Sequence, residues 1–369
     1  MRRLTVTKRT LHFKQPAGTS RGIYTTRTSW FLKMTSDEES QREGLGECAP
    51  LPDLSCDASP EYEQTLNALC RMYETRQSID YYLMRPYPSM LFGMETAEKS
   101  FDNGGTTIFD TPFTRGEEGI PINGLVWMGS FEEMMGRLEE KMQAGFACVK
   151  LKIGAIDFNQ ELELIRHIRK RFGKDSIELR VDANGGFTPD NVAERLEQLA
   201  KYDIHSIEQP IRQRQWNEMA KLCRETPLPI ALDEELIGVN AKDMKTQLLD
   251  FIKPQYIILK PSLHGGMHGT EEWINLADES SRSSILQTIV DNKRTGEQRG
   301  TERGGPACRP HLRTRHKHAA RTGHRTAFHG QSAYAARDKK GPVVAHTINQ
   351  QSPFGTTGQW FKEEKQTRI

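Results

Sequence analysis

The chain has 369 residues, which is long enough for two domains or for one large α/β barrel with an attached domain. The formal net charge is +2, but residues 1–279 carry a net charge of −9 and residues 280–369 carry +11. No apolar run approaches the roughly 18 residues of a membrane helix, and the first residues lack the apolar core of a signal peptide. Six cysteines in no C-x-x-C spacing predict reduced thiols in a cytoplasmic protein.

Residues 1–115 predict a small α+β domain. Apolar and polar residues alternate near residues 4–13 and 23–31, which is the period of a half-buried strand. Helical spacing of apolar residues follows in residues 62–83 and 89–102. Strands followed by helices in this order are typical of an α+β domain.

Residues 116–279 repeat a strand–helix unit with a period of about 25–30 residues. Short apolar runs end in turn at Met128, Lys152, Asp182, Glu208, Asp233 and Lys260. Helical patterns lie between these runs, in residues 131–144, 161–172, 191–200 and 216–224. Strands that alternate with helices form a parallel sheet, and about six of them favour a barrel over an open sheet. We therefore predict an α/β fold: an α+β capping domain and a TIM-type (β/α) barrel that is truncated after about six βα units.

Charged residues stand at the ends of five consecutive predicted strands, in the order lysine, acid, acid, acid, lysine. They are Lys152, Asp182, Glu208, Asp233 and Lys260. In a barrel the carboxyl ends of the strands meet at one mouth, where such enzymes build their active sites. Three carboxylates from neighbouring strands suit Mg²⁺, which prefers oxygen ligands. The two lysines would face each other across the metal as candidate acid–base groups.

This set of groups suits abstraction of a proton α to a carboxylate. Such a proton is very weakly acidic, and its removal leaves an enediolate with two negative charges. A divalent cation can stabilise those charges while a lysine reaches the carbon. A single Lys-x-Lys or a single acid at a strand end is more often a solvated residue or a helix cap, so the prediction depends on the five residues together.

The same residues resemble the enolase superfamily, in its muconate-lactonising-like branch, and within it the o-succinylbenzoate synthases of the MenC type. Four further segments carry the resemblance, which covers residues 1 to about 279: 16–23 (PAGTSRGI), 46–55 (GECAPLPDLS), 108–129 (from IFDTPF to INGLVWMG) and 259–266 (LKPSLHGG). The resemblance implies a capping domain at residues 1–115 and a partial barrel at 116–279, and the composition marks 280–369 as a basic tail.

The resemblance also implies a role for each strand-end residue. Asp182, Glu208 and Asp233 would bind Mg²⁺. Lys152 would remove the α-proton and assist the departing hydroxyl, and Lys260 would stabilise the enediolate from the opposite face. The loop of residues 16–23 would close over the substrate. Residues that contact the substrate or orient the catalytic groups would be Ser20, Arg21, Arg180, Asn184 and Ser262.

Several neighbouring residues allow a functional and a structural interpretation. Glu234 and Glu235 suit a solvated or supporting role better than direct ligation. His264 and His268 suit loop positions, because Mg²⁺ prefers oxygen to nitrogen. Lys150 fits an electrostatic support for Lys152 rather than a reacting group, and the Gly-Gly pair at 265–266 fits a tight turn better than a phosphate cradle.

The activity that the resemblance implies is that of a lyase. It is the Mg²⁺-dependent dehydration of 2-succinyl-6-hydroxy-2,4-cyclohexadiene-1-carboxylate in menaquinone biosynthesis, through an enediolate. A sister activity on the same scaffold is the alternative, either cycloisomerisation or the racemisation and epimerisation of N-acylamino acids and dipeptides, since all begin with proton abstraction. The partner would be a small carboxylate, with no specific nucleic acid and no membrane, and the sequence carries no signal for an oligomeric state.

Residues 280–369 differ from the rest of the chain. Only 13 of these 90 residues are Leu, Ile, Val, Met, Phe or Trp, and the composition predicts disorder. The net positive charge would also suit a nucleic-acid-binding arm, which makes a basic-tailed binder the non-enzymatic alternative. Six histidines in this segment have no metal-ligand spacing.

A shifted reading frame offers a different interpretation of this tail. Read one nucleotide later, codons allowed for residues 291–302 can encode Ile-Thr-Ser-Ala-Leu-Glu-Ser-Asn-Val-Gly-Leu-Asn, which resembles the seventh-strand segment of the family. The same shift at residues 322–333 can encode Leu-Gly-Thr-Gly-Leu-Leu-Phe-Thr-Asp-Asn-Pro, which resembles its closing segment. We hypothesise that the frame changes between about Asp278 and Asp291, so that strands seven and eight are lost, the barrel stays open, and the chain as written is inactive or poorly folded.

The nucleotide sequence tests this hypothesis. We expect the +1 frame downstream of codon 291 to encode the two family-like segments in order and at the correct separation. Sequencing of the region around codons 275–295 provides the measurement. An uninterrupted coding frame with no family-like protein in the +1 frame would contradict the hypothesis, as would a monodisperse full chain with Mg²⁺-dependent activity.

Overall fold

The computed structural model describes residues 1–280, apart from Ser20, 106–107, 110, 113, 116, 118–121 and 155. Beyond residue 286 it describes three short strands. The N-terminal part is an antiparallel sheet of three strands in the order β1-β2-β3, followed by three helices. The strands are β1 (Arg2–Thr19), β2 (Gly22–Ser36) and β3 (Glu43–Cys48), and the helices are α1 (Tyr62–Arg76), α2 (Tyr81–Met84) and α3 (Pro88–Asp102). The predicted α+β domain is therefore present, with the single predicted helix of residues 62–83 divided in two.

The core of this capping domain lies between the sheet and α1 and α3. Alternate residues of β2 face it, so Trp30, Leu32 and Met34 are buried against the helices. Helix α3 crosses β3 closely: a Cβ added to Gly46 would lie 1.9 Å from the carbonyl oxygen of Gly93. Only glycine allows the two backbones to approach to this distance.

The second part is a parallel sheet whose strands follow one another in chain order, as repeated βα units require. Its strands are β4 (Gly124–Val126), β5 (Cys148–Lys152), β6 (Glu178–Asp182), β7 (Ser206–Glu208), β8 (Ile230–Leu232), β9 (Tyr256–Leu259) and β10 (Gln287–Val290). The helices between them are α4 (Phe131–Gln143), α5 (Phe158–Arg171), α6 (Pro189–Ala200), α7 (Trp216–Glu225), α8 (Lys242–Ile252) and α9 (Gly266–Ser280). These are the six predicted βα units, and their apolar faces form one continuous core.

Local sequence signals account for where several of these helices begin. Ser130 and Glu133 form a capping box at α4, in which each side chain binds the backbone N–H of the other residue. Asp157 accepts hydrogen bonds from the first turn of α5. Thr188 precedes α6, and Pro189 occupies its first position, where a missing N–H is tolerated.

The structure adds to the parallel sheet one strand, β10, that the sequence did not predict. Residues 280–369 were expected to have no regular structure and strand seven was expected to be lost, which is wrong for β10. This strand pairs in parallel with β9, with Ile289 opposite Ile258. Gln-Thr-Ile-Val contains three β-branched residues, and this local preference persists in a segment of low average hydrophobicity.

The remainder of the tail contributes little to the described structure. Strands β11 (Tyr334–Ala336) and β12 (Val344–His346) form a short antiparallel pair, again where disorder was expected. The rest of 291–369, including the tail histidines other than His346, lies outside the described residues. Within the described part, no helix is long and apolar enough to cross a membrane, and the five cysteines there form no disulfide bond.

Helix α3 of the capping domain contacts α9 of the barrel through a buried carboxylate. Glu95 accepts hydrogen bonds from the backbone N–H groups of Met267 (2.5 Å) and His268 (2.9 Å), in the first turn of α9. These bonds favour the ionised carboxylate, but burial outweighs them and raises the pKa of Glu95 to about 8. Arg85 adds a second contact, because its guanidinium lies 2.8 Å from Glu272 and also donates to the carbonyl of Asn240.

Replacement of Gly46 by alanine is expected to destabilise the capping domain. The new methyl group would overlap backbone atoms of α3, so the helix must move, and we expect a loss of about 2 kcal/mol or more in the free energy of unfolding. Gly136→Ala is the matched control, since a Cβ there meets nothing within 4 Å on the exposed side of α4. The control should be neutral or stabilised by up to about 1 kcal/mol. Urea unfolding of both variants measures the difference, and equal effects would contradict the close approach of α3.

Burial of Glu95 makes stability depend on pH. Because its pKa is raised above that of an unfolded chain, the folded state keeps a proton that the unfolded state releases between about pH 4.5 and pH 8. Stability should therefore fall as the pH rises through this window, by no more than about 5 kcal/mol from this group. Glu95→Gln should remove this part of the dependence, whereas Glu197→Gln on the exposed face of α6 should leave it unchanged. Urea unfolding midpoints of the parent protein and of both variants, measured from pH 5 to pH 8.5, test this prediction. Parallel pH curves for all three proteins would refute the assignment of the pH dependence to Glu95.

Candidate active site

The parallel register brings the predicted residues to one edge of the sheet. Lys152 on β5 is the Cα partner of Asp182 on β6, and Asp182 is the partner of Glu208 on β7. Asp233 and Lys260 follow directly after β8 and β9. The structure therefore places all five side chains at the carboxyl ends of five adjacent strands, in the predicted order.

The acids of this row are paired with lysines. Lys152 forms an ion pair with Asp182 at one end of the row, and Lys260 forms one with Asp233 at the other. Lys150, two residues before Lys152 on the same face of β5, donates to Glu208 over 2.8 Å and lies 3.5 Å from Asp182. Three lysines thus balance three buried carboxylates, and this balance offsets the cost of removing the charges from water.

The carboxylates have the donor atoms that a divalent cation requires. Asp233 Oδ1 is buried and accepts no hydrogen bond, so this oxygen can accept a cation, and Glu208 Oε1 has only a long ion pair of 3.9 Å with Lys260. Both are hard oxygen donors of the type that Mg²⁺ prefers. In the described part of the chain, no three His, Cys, Asp or Glu side chains are grouped as a preformed metal site, and the lysine ion pairs are present instead. The chemistry of the donor set therefore fits the predicted metal.

Asn184 connects Lys152 to the capping domain. Its side-chain oxygen accepts a hydrogen bond from Lys152 Nζ (2.7 Å), and its amide donates to Glu234 Oε1 (3.0 Å). The same Glu234 oxygen lies 3.5 Å from the guanidinium of Arg21, in the turn between β1 and β2. The predicted loop of residues 16–23 is wrong in extent, because β1 runs to Thr19 and β2 begins at Gly22. A continuous path of polar contacts thus runs from this turn to the end of β5.

The other predicted site residues are placed differently. Arg180 binds Glu178 through Nε (2.6 Å), toward the start of β6 and away from the row. Ser262 is buried in the turn after β9. Ser20 lies outside the described residues. Glu235 accepts from the backbone N–H of Arg214 (2.6 Å), and burial raises its pKa.

His264 holds the turn that carries Lys260. Its Nδ1 accepts a hydrogen bond from the backbone N–H of Lys260 (2.9 Å), and the ring is completely buried. Burial and the positive charges of Lys260 and Lys245 hold the pKa of His264 well below its usual range, so the ring is neutral. His268 lies within α9, where its ring packs on Tyr81 with 4.4 Å between centroids.

Two family models match the chain: the MenC N-terminal domain over residues 1–101 and the enolase C-terminal domain-like family over residues 133–285. The chain is 42% identical over 301 residues to the o-succinylbenzoate synthase of Desulfotalea psychrophila, a match that covers 73% of this chain and 81% of that protein. The chain belongs to the o-succinylbenzoate synthase family of the enolase superfamily. The o-succinylbenzoate synthases are lyases, which confirms the enzyme class predicted from the sequence.

Solved structures of two family members share the fold. The crystal structure of MenC from Desulfotalea psychrophila superposes with a TM-score of 0.66 at 36% identity, and the match covers 80% of this chain and 88% of that one. The o-succinylbenzoate synthase of Thermosynechococcus elongatus, described as a complex with magnesium in the active site, has a TM-score of 0.61 at 21% identity and covers 78% of this chain and 83% of that one. At 21% identity, the second comparison supports a shared fold and nothing further.

One residue beside the row was not identified from the sequence. Gln209 is completely buried beside Glu208, and its side chain bonds to backbone atoms at the end of β8. No periodicity or ligand spacing marks such a residue, because its partners are backbone atoms of another strand. The supporting roles of Lys150 and Glu234 were predicted, but their partners were not.

Proposed function

We propose that this site catalyses the Mg²⁺-dependent dehydration of 2-succinyl-6-hydroxy-2,4-cyclohexadiene-1-carboxylate to o-succinylbenzoate in menaquinone biosynthesis. One observation carries the proposal: the row from Lys152 through Asp182, Glu208 and Asp233 to Lys260 lies on adjacent strand ends of a chain that belongs to this family. Two lysines at opposite ends of a row of acids suit removal of a proton next to a carboxylate.

Asp182, Glu208 and Asp233 would hold the magnesium ion. Asp233 Oδ1, which is buried and accepts no hydrogen bond, and Glu208 Oε1, which has only a long ion pair with Lys260, support this assignment, since a cation would offset the cost of their burial. When bound, the ion would supply positive charge next to the carboxylate of the substrate. No nitrogen or sulfur ligand is needed, and Nδ1 of His264 already accepts a hydrogen bond from the backbone N–H of Lys260.

Lys152 would act as the base and then as the acid. In its neutral form, Nζ would take the proton from the carbon next to the carboxylate, and the electron pair of that C–H bond would enter the enediolate. The C–O bond to the 6-hydroxyl then breaks, the ring becomes aromatic, and the ammonium of Lys152 returns the proton to the departing hydroxide as water. Lys260, at the other end of the row, would stabilise the negative charge during the reaction.

The capping domain would supply the contacts to the substrate. Among the described residues, Arg21 is the candidate for binding a carboxylate of the substrate, because its guanidinium reaches the site beside Glu234. Ser20 in the same loop and Ser262 in the turn after β9 would add polar contacts, and Asn184 would keep Lys152 in place. The position of Arg180 supports a structural role inside the barrel.

We assign residues 1–115 to the capping domain and 116–279 to the catalytic barrel, and we regard 280–369 as an out-of-frame extension of a cytoplasmic enzyme. The reduced thiols support that compartment, and the change in charge and hydrophobicity after residue 279 supports the boundary. A barrel that lacks its closing strand would hold the row loosely, so we expect the full chain to have low activity.

Conversion of the cyclohexadiene substrate to o-succinylbenzoate tests the proposal, in the full chain and in a chain whose codons after about residue 290 are read in the +1 frame. Lys152→Ala should lower the rate by about 10²–10⁴-fold in whichever protein is active, because the base is lost. Lys170→Ala, on α5 away from the site, is the control and should retain the rate. Formation of the aromatic product, followed by absorbance with and without a metal chelator, is the measurement. Activity that survives Lys152→Ala or the chelator would refute the mechanism, and inactivity of both parent proteins would refute the assigned reaction.

A further inference from the structure

Gln209 lies at the centre of the three strand ends that carry the acids. It directly follows Glu208, is completely buried, and has a backbone φ of +38°, in the left-handed region that residues other than glycine rarely adopt. Asn184, two residues after Asp182, has a similar φ of +44°. Backbone of this kind persists when surrounding contacts hold it, and it is concentrated at functional sites.

The side chain of Gln209 uses both ends of its amide. The oxygen accepts hydrogen bonds from the backbone N–H groups of Asp233 and Glu235, each at 3.2 Å. The nitrogen donates to the carbonyl of Ile211 (3.0 Å) and to the side chain of Glu235 (3.2 Å). A glutamine amide has two donors and an acceptor oxygen, so these four bonds use its full capacity.

The backbone of Gln209 binds the strands on both sides. Its N–H donates to the carbonyl of Ala231 on β8 (2.9 Å), and its carbonyl accepts from the N–H of Gly185 after β6 (2.7 Å). One residue therefore connects the segment after Asp182, the end of β7 and the segment that contains Asp233.

We propose that Gln209 is a positioning residue that fixes the backbone of Asp233 relative to Glu208 and thereby sets the spacing of two carboxylates that bind the metal ion. This inference rests on the proposed function, because it assigns those carboxylates to the ion. Strand β8 ends at Leu232, so Asp233 lies beyond the last ladder position of its strand. Its N–H is held by the side chain of Gln209 at the point where strand pairing ends.

A merely structural role would predict a different pattern. Gln255 provides the comparison, because it bonds to the same strand at the opposite end: its oxygen accepts from the N–H of Ile230 (2.9 Å) and its nitrogen donates to the carbonyl of Cys223 (3.1 Å). Both glutamines hold β8 through backbone bonds, but only Gln209 lies at the edge with the acids. Loss of either should lower stability, and only loss of Gln209 should weaken cation binding.

The experiment measures the dissociation constant of Mn²⁺, used as the probe cation, for the full-length chain. Electron paramagnetic resonance of the free ion gives this constant without requiring activity. Gln209→Met keeps the length of the side chain and removes all four bonds, and it should weaken Mn²⁺ binding by about 10–100-fold. Gln255→Met is the matched control and should change the constant by less than about threefold, which is below the usual effect of residues that orient metal ligands. Urea unfolding of each variant shows whether their stabilities are comparable.

A milder variant covers the case in which Gln209→Met does not fold. Gln209→Asn keeps the amide but withdraws it from Asp233 and Glu235, and it should weaken Mn²⁺ binding by an intermediate factor. Equal Mn²⁺ binding by the parent chain and the Gln209 variants would overturn the inference and leave the proposed metal site intact. Equal weakening in the Gln209 and Gln255 variants would also overturn it, since the effect would then follow stability. The constant is also measured for the chain whose codons after about residue 290 are read in the +1 frame, and failure of both parent proteins to bind Mn²⁺ would overturn both the inference and the metal site of the proposed function.

Discussion

Lys152, Asp182 and Glu208 are paired in register across β5, β6 and β7, so three neighbouring strands finish at the same level. The charged side chains at their ends are buried, and buried charges persist in a folded protein only when opposite charges balance them. Lys150, Lys152 and Lys260 provide that balance. A shift of one residue in any strand would turn its charged side chain into the surrounding helices, so register and charge pairing specify each other.

The capping domain and the barrel are joined by polar contacts that a sequence pattern does not display. Glu95 accepts from the first turn of α9, and Arg85 reaches Glu272 on the same helix. At the opposite edge, Arg21 approaches Glu234 beside the row of acids. These contacts join the two domains on both sides, and Arg21 brings the turn between β1 and β2 beside the row of acids.

The charge asymmetry of the chain corresponds to a division in its structure. The acidic part, residues 1–279, contains the whole capping domain and nearly all of the six βα units, and the second of the two family matches ends at residue 285. Strands β4 and β10 are the outermost strands of the described parallel sheet. A barrel closes only when its first and last strands pair, so the segment after β10 determines whether this sheet can close.

The sequence by itself determined the six βα units, the order of Lys152, Asp182, Glu208, Asp233 and Lys260, and the family, because these features depend on local periodicity and on residue types at strand ends. Tertiary structure decided which lysine balances which acid, how Asn184 and Glu234 connect the two domains, and that Gln209 holds Asp233. It also decided that Gln287–Val290 pairs as a strand. Each of these depends on atoms that are distant in sequence and meet only when neighbouring strands are in register, so no pattern along a single segment could reveal them.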